Sequence, residues 1–387
     1  MAGCPVSVLK CQDYSPENLR KTIMQSLENI GFDPQTFHGA RVALKPNLLV
    51  PAPPEKAVIT HHEFFRAAAR IVKEYGGDPV LIESPSIHST DRVIKKTAYA
   101  QVVAEEGVEV ASVDKTRTLN YAGSRRYKHV DVAEAFFDAD IIINLPKFKT
   151  HGLTYVTGAV KNMFGAIPGL QKSKMHVKAP AADEFSEFLL DLYGCLLYGF
   201  DKPKTFLHLM DGIIVMEGEG PGASGSPARM DAVLASTDAV ALDYAATTLS
   251  GLDVEKALIT MRGFERGFNV TSPEEVQWIG DPKDSFTHKP LRPSRGTILS
   301  NMVRWPITSK RFRNLFIDRP VPGQEKCTLC YQCMKICPAG AISKAGSGGK
   351  KPTYDYNKCI RCYCCMEVCP EAAIEKGRGR LQWLLRM

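Results

Sequence analysis

The chain reads as an α/β protein, a mostly parallel sheet covered by helices on both faces, with a small α+β module behind it. Three observations predict this. Over roughly the first 280 residues short β-branched runs alternate with amphipathic helical patterns, the signature of strand–helix–strand units. The runs stop at Gly, Pro or Asn, residues that end strands. Nine of the twelve cysteines fall between Cys327 and Cys369, so a second, compact unit follows the first.

The runs Val6–Leu9, Val42–Leu44, Val80–Ile82, Val108–Val113, Ile141–Leu145 and Phe206–Met210 are the expected strands. Ser15-Pro16 starts one helix. Thr60-His61-His62-Glu63 reads as a capping box for another, ending at Gly76-Gly77, with His61 and His62 as structural residues at its start. Four segments follow: an α/β domain over 1–290, a basic connector over 291–320, the cysteine module over 321–376 and a basic amphipathic tail over 377–387.

Composition is that of a globular protein, with 44% hydrophobic and 24% charged residues. No stretch has the roughly 18 apolar residues that span a bilayer, and MAGCPVSVLKCQDYSPENLRK lacks an apolar leader core. A cytoplasmic protein is expected. The net charge of +7 is concentrated in the connector, where seven basic residues face Asp318 alone between Arg292 and Arg319. A connector of this kind is a solvated link or a surface for an acidic partner. No nucleic-acid reading motif accompanies it.

In open α/β sheets, ligands collect beyond the carboxyl ends of the strands. There the sequence places Lys45-Pro46-Asn47, then Glu83-Ser84-Pro85-Ser86, then Asn144-Leu145-Pro146-Lys147-Phe148-Lys149-Thr150-His151, and Asp211-Gly212. Lysines directly after buried strands are unusual, because the stem must lie near the core. Lys45, Lys147, Lys149 and Lys161 are therefore candidates to converge on one anion. Gly158, Lys161, Asn162 and Gly165 would share a helix face. Asn47, Asn144 and Asn162 are expected orienting groups, Asp211 a further binding group, and His151 the acid/base, its ordinary pKa lying near 6.5. Lys147 and Lys161 join His151 as the expected catalytic set. His176, in a basic loop Lys172–Lys178, ranks second among the histidines. The loop Glu217–Gly222 carries acids able to take a divalent ion or simply be solvated. No G-x-x-x-x-G-K-[ST] or G-x-G-x-x-G fingerprint occurs.

The cysteines form two runs, Cys327-x2-Cys330-x2-Cys333-x3-Cys337-Pro338 and Cys359-x2-Cys362-x2-Cys365-x3-Cys369-Pro370, offset by 32 residues. Three thiolates at two-residue gaps wrap one [4Fe–4S] cube, and the fourth, before proline, ligates the other cube. One cluster is assigned to Cys327, Cys330, Cys333 and Cys369, the other to Cys359, Cys362, Cys365 and Cys337. Zinc knuckles pair cysteines in twos and do not match this pattern. Cys364 lies outside the spacing, beside the ligands, and Cys4, Cys11 and Cys195 read as small buried residues. This part resembles the bacterial two-cluster ferredoxins, which carry single electrons. Its lysines, among them Lys335, Lys350 and Lys351, suggest a tethered wire rather than an acidic shuttle.

The first part resembles the family known as domain of unknown function 362. The residues that carry the likeness are Val42–Asn47, Asn144–His151, Gly158–Asn162, Asp211-Gly212 and Ser236–Asp243. The resemblance implies an α/β domain wired to iron–sulfur clusters and no particular substrate. Two functions fit. One is an oxidoreductase acting on an anionic small molecule, where covalent fusion raises the effective concentration of the electron source. The other is an electron carrier without chemistry of its own, docking a redox partner protein through Trp305, Phe312, Leu315 and Phe316. Contact of the connector and the tail Arg380–Arg386 with a membrane surface is a lesser expectation. Whether a flavin is present is not legible.

Overall fold

In the computed structural model, which describes residues 3–169, 171–295, 314 and 318–377, the early apolar runs become strands of one ten-stranded sheet. The strands are β1 (Cys4–Lys10), β2 (Arg41–Pro46), β3 (Asp78–Leu81), β4 (Glu109–Val110), a separate hairpin β5 (Thr116–Asn120) and β6 (His129–Ala133), β7 (Ile141–Leu145), β8 (Lys147–His151), β9 (Tyr155–Thr157), β10 (Thr205–Gly218), β11 (Gly225–Ser236) and β12 (Val276–Gly280). The main order is β12-β1-β11-β10-β7-β2-β3-β4. Pairings from β10 through β7, β2 and β3 to β4 are parallel, as is β1 with β12. Only β11 runs against both its neighbours in this order.

Successive side chains of a strand point to opposite faces. Accordingly Val42, Leu44, Ile141 and Ile143 enter one core with Leu19, Ile23, Phe64 and Phe65 from the helices Pro16–Asn29 and His62–Glu74. Ala43 and Ile142 enter the other, with Phe185, Leu189 and Val240 from the helices Ala182–Tyr198 and Ala239–Leu249. Both faces are covered, which is what makes these strands apolar throughout.

Several elements differ from the sequence expectation, each for a local reason. Thr60 is not the cap of its helix: its hydroxyl donates to the Leu145 carbonyl (2.7 Å), and the His61 ring caps instead, accepting from the Glu63 N–H at 3.2 Å. The expected strand Val108–Val113 shrinks to Glu109–Val110 at the sheet edge. Lys147–His151, listed only as residues beyond a strand end, forms a further strand β8, because β10 continues past the end of β7 and offers β8 a neighbour. The same continuation makes Phe206–Met210 only the start of a hairpin that ends at Gly218. Lys172–Lys178 is helical rather than a loop, within the helix Gln171–Lys178.

The cysteine module is built from two short antiparallel pairs, Arg319–Pro322 with Ile374–Gly377 and Ile342–Ser343 with Thr353–Tyr354. Its duplication reaches the backbone. Left-handed residues recur at Leu329 and Arg361, Tyr331 and Tyr363, and Gly340 and Ala372, each pair spaced like the cysteines. Among the described residues no helix is long and apolar enough to cross a membrane. The connector residues Trp305, Phe312, Leu315 and Phe316 and the tail Arg380–Arg386 lie outside the described residues.

Candidate functional site

The site begins as a row of polar side chains where the strands leave the apolar core. Lys45 of β2 is in register with Asn144 of β7, and Asn144 with His208 of β10. A chain of hydrogen bonds crosses this row. Lys149 Nζ donates to Asn47 Oδ1 (2.8 Å), Asn47 Nδ2 to Asn162 Oδ1 (2.9 Å), Asn162 Nδ2 to Asn144 Oδ1 (2.7 Å), and Asn144 Nδ2 to His208 Nδ1 (3.0 Å). Because His208 Nδ1 accepts, its proton sits on Nε2, facing the Tyr193 hydroxyl.

Two lysines are neutralised locally. Lys45 pairs with Glu83, and Lys147 with Asp211 at 2.8 Å, all within the core. Asp211 also accepts from the Tyr14 hydroxyl (2.8 Å) and the His61 N–H (2.9 Å), and the Tyr14 ring stacks on His61 at 3.6 Å. Burial lowers the pKa of both lysines, and each carboxylate works against that. Lys149 lacks an acid beside it. Burial, then the charge of Lys161, bring it down to about 7, and it is held by Asn47 and by the Val58 carbonyl at 2.7 Å. Lys172, brought down to about 8 by burial, donates to the Ser84 carbonyl.

The family-like segment Gly158–Asn162 forms a single helical turn, Ala159–Asn162, followed by a tighter turn Met163–Ala166. The glycines therefore serve separate contacts rather than one helix face. A β-carbon on Gly158 would lie 2.1 Å from Asp243 Oδ1. The Asp243 carboxylate caps this turn, accepting from the Ala159 and Val160 N–H groups, and burial raises its pKa to about 7. Asp238 caps the helix Ala239–Leu249 in the same manner, through the Ala241 N–H at 2.7 Å. The segment Ser236–Asp243 thus holds the lysine-bearing turn in place.

Next to this saturated network stands a less satisfied corner. Lys161 is half-buried and, among the described residues, makes no hydrogen bond or ion pair; its ammonium lies 5.9 Å from the Phe164 ring and 6.0 Å from that of Phe185. His176 stacks on Phe185 at 4.3 Å, and its buried Nδ1 has no partner. His151 Nδ1 accepts from the Leu153 and Thr154 N–H groups (2.9 and 3.2 Å), which leaves its proton on Nε2. Burial drops His151 and His176 to about 4, so the near-neutral value expected from sequence does not apply and both rings are uncharged at pH 7.

The wall of this corner comes from the cysteine module. Glu367, between Cys365 and Cys369, brings Oε1 to 3.2 Å from His151 Nε2, off the line of a good hydrogen bond. Burial opposes its charge, but His151 and Lys161 hold its pKa down to about 2. The loop after β10 comes so close that a β-carbon on Gly222 would lie 2.4 Å from the Glu367 carbonyl oxygen. Lys376 ties the seam, donating to Ser294 Oγ and the Arg295 carbonyl at 2.7 Å and pairing with Glu219 at 3.3 Å. Glu217 pairs with Arg292 at 2.7 Å. The acids read as a possible cation site are therefore engaged by basic side chains.

The eight run cysteines line two cavities. Cys327, Cys330, Cys333 and Cys369 line the first; Cys359, Cys362, Cys365 and Cys337 line the second. Each set takes three thiols from one run and the fourth from the other. Among the described residues no three His, Cys, Asp or Glu side chains converge on a single-ion site. The Ala341 and Ala373 N–H groups each donate to a fourth-cysteine sulfur, Cys337 and Cys369, at 3.3 Å. Amide donors to sulfur are what iron–sulfur ligation uses, and the residues fit two [4Fe–4S] clusters.

All sequence-predicted residues of the α/β domain lie in one connected region. Asn47, Asn144, Asn162, Lys45, Lys147, Lys149 and Asp211 are bonded mostly to one another and to the backbone, whereas Lys161 and His151 face the seam. Sequence reasoning missed Glu83, Lys172, Tyr14 and Glu367. Glu83 offered a signal, following β3 as Lys45 ends β2; Glu367 offered another, a carboxylate inside a ligand run.

Three buried histidines, His151, His176 and His208, and the half-buried His61 have pKa values depressed by burial to between about 3 and about 4. The unfolded chain takes up their protons below about pH 6.5, so stability is expected to fall as pH drops from there toward 4. Each histidine adds about 1.4 kcal/mol per pH unit to that slope. His208→Gln should reduce the slope by about one proton, measured as urea midpoints of the anaerobic protein between pH 4.5 and 6.5. An unchanged slope would contradict neutral burial of His208.

Comparison with known proteins agrees with this architecture. The chain belongs to the family described as domain of unknown function (DUF362), which matches residues 42–248; a 4Fe-4S dicluster domain matches residues 326–373. It is thus an iron–sulfur protein of the electron-transfer type. The thylakoid-associated protein sll1697 of Synechocystis is 32% identical to it over 282 residues, 72% of this chain and 84% of the relative.

Proposed function

We propose that the protein is an iron–sulfur oxidoreductase whose substrate is a small anion held at the seam by Lys161, His151 and His176. One observation carries this reading. Beside a network whose other members are bonded, His151 Nε2 and His176 Nδ1 are buried without a good partner among the described residues, the half-buried Lys161 ammonium stands beside them unpaired there, and they meet a wall supplied by the iron–sulfur module. Buried polar groups ordinarily find partners, so the arrangement suits a ligand that accepts from an ammonium and an imidazole N–H, such as a carboxylate or phosphoryl compound. The clusters, when bound, supply or collect single electrons. The chain's own groups do the rest. Lys161 anchors the anion, His151 presents an Nε2 proton at a fixed place, and Glu367 keeps the negative charge of the ligand on the lysine side. The asparagine chain and the two lysine–carboxylate pairs hold these groups in position. Thiolate-held clusters and the free Cys4, Cys11 and Cys195 suit a reducing compartment, the cytoplasm.

The test is anaerobic isolation of the full chain, followed by iron and sulfide analysis and identification of small anions released on denaturation. A stoichiometric anion is expected, reduced about tenfold or more in Lys161→Met at unchanged iron content, since a charge-assisted bond contributes about 1.5–3 kcal/mol. Intact clusters with no anion in either protein would overturn the reading in favour of a carrier that only docks a partner.

A further inference from the structure

The two cysteine sets differ in what surrounds them. At the first cavity Cys330 is exposed, Cys327 and Cys369 are half-buried, and the rim residues Thr328 and Glu371 are open to solvent. At the second, Cys359, Cys362 and Cys365 are only 7–8% exposed and Cys337 is half-buried; of the first set only Cys333, at 7%, is buried as deeply. Neither cavity is lined by the α/β domain among the described residues, so the distinction lies one layer further out. Ile87, from the loop after β3, packs on Ile336, Cys362, Cys364 and Val368. Lys161 lies within electrostatic reach of Cys364, the neighbour of Cys365. The Cys362–Cys365 turn is therefore clamped between its own cavity and the seam, whereas the Cys327–Cys330 turn looks outward.

We propose that the two cysteine sets have a fixed order: an external one-electron carrier protein meets the Cys327–Cys330 edge, and the seam ligand is served through the Cys362–Cys365 wall. This rests on reading the seam as a redox site. For each electron the carrier changes by one oxidation state and the seam ligand by one in the opposite sense; no bond in the chain forms or breaks. The charge of Lys161 favours the order. Lys161 stands on the inner side, where it works against the Glu367 carboxylate and favours the reduced, more negative state of the inner set; the charged residue that lines the outer cavity, Glu371, is an anion.

Redox titration of the anaerobic full chain, followed by EPR, tests this in Lys161→Met and in Glu371→Gln, whose exposed side chain is dispensable for folding. Lys161→Met should move one midpoint to more negative potential and leave the other. Glu371→Gln should move the other to more positive potential. A soluble dysprosium chelate should shorten the relaxation of the Glu371-sensitive signal alone. If both substitutions move the same midpoint, or the chelate relaxes the Lys161-sensitive signal, the order is wrong. If the order holds while no anion is found in the protein, the order stands and the reading of the seam as a substrate site falls by itself.

Discussion

Cys369→Ala is expected to cost the protein one whole cluster, and the one lost is that of the first run. Cys369 lines the cavity of Cys327, Cys330 and Cys333, although it stands ten residues after Cys359 in the second run. Double variants make the crossing visible. Cys369→Ala with Cys327→Ala removes two ligands of the same cube, so about four irons per chain should remain, as in the single variant. Cys369→Ala with Cys359→Ala damages both cubes and should leave almost none. If each run held its own cube, the two doubles would behave the other way round. Iron and sulfide analysis of anaerobically isolated protein decides between them.

Asp211→Ala is expected to destabilise the α/β domain by about 3–5 kcal/mol, the range for breaking a buried ion pair from one side. The substitution strands Lys147, only 1% exposed, without its carboxylate. It also removes the acceptor of the Tyr14 hydroxyl and the His61 N–H. Part of that loss comes from the uncompensated charge and part from lost hydrogen bonds, and a second substitution separates them. Lys147→Met on top of Asp211→Ala removes the buried charge and should recover a portion of the stability. Urea unfolding followed by circular dichroism gives the comparison. A double variant less stable than Asp211→Ala would mean that the lysine tolerates isolation, and that the pair is not what holds β8 to β10.

The parts legible in the sequence were those with a repeating or periodic physical cause. Two cysteine runs at one offset specify two cubes and the crossing of the fourth ligand. Ile141–Leu145 announced a strand because a sheet covered on both faces demands apolar residues at consecutive positions. The strand-end lysines could be picked out because a lysine next to a buried strand needs a reason. What stayed hidden depended on partners distant in sequence. Nothing near Lys147 reveals that it ends against Asp211 while Lys161 has no such partner, yet this difference separates a scaffold lysine from one free to bind. Glu367 was counted only toward the charge of the module and given no place in the site. Lys147–His151 was listed only as the residues beyond a strand end, with no strand assigned, because its strand neighbour, the far half of β10, lies some sixty residues later. Burial likewise moved His151 away from its solution pKa, and local sequence carries no measure of burial.

The central claim is that a ligand at Lys161 exchanges electrons with the module across the seam. It is tested most directly by mixing the anaerobic full chain, poised reduced or oxidised, with the anion extracted from it, and following the cluster absorbance through one turnover. In the wild-type protein the absorbance should change on mixing, in one of the two poised states, and in Lys161→Met the change should be at least tenfold slower at equal iron content. An equal rate in both proteins would contradict the account, as would clusters that the extracted anion leaves untouched in either state.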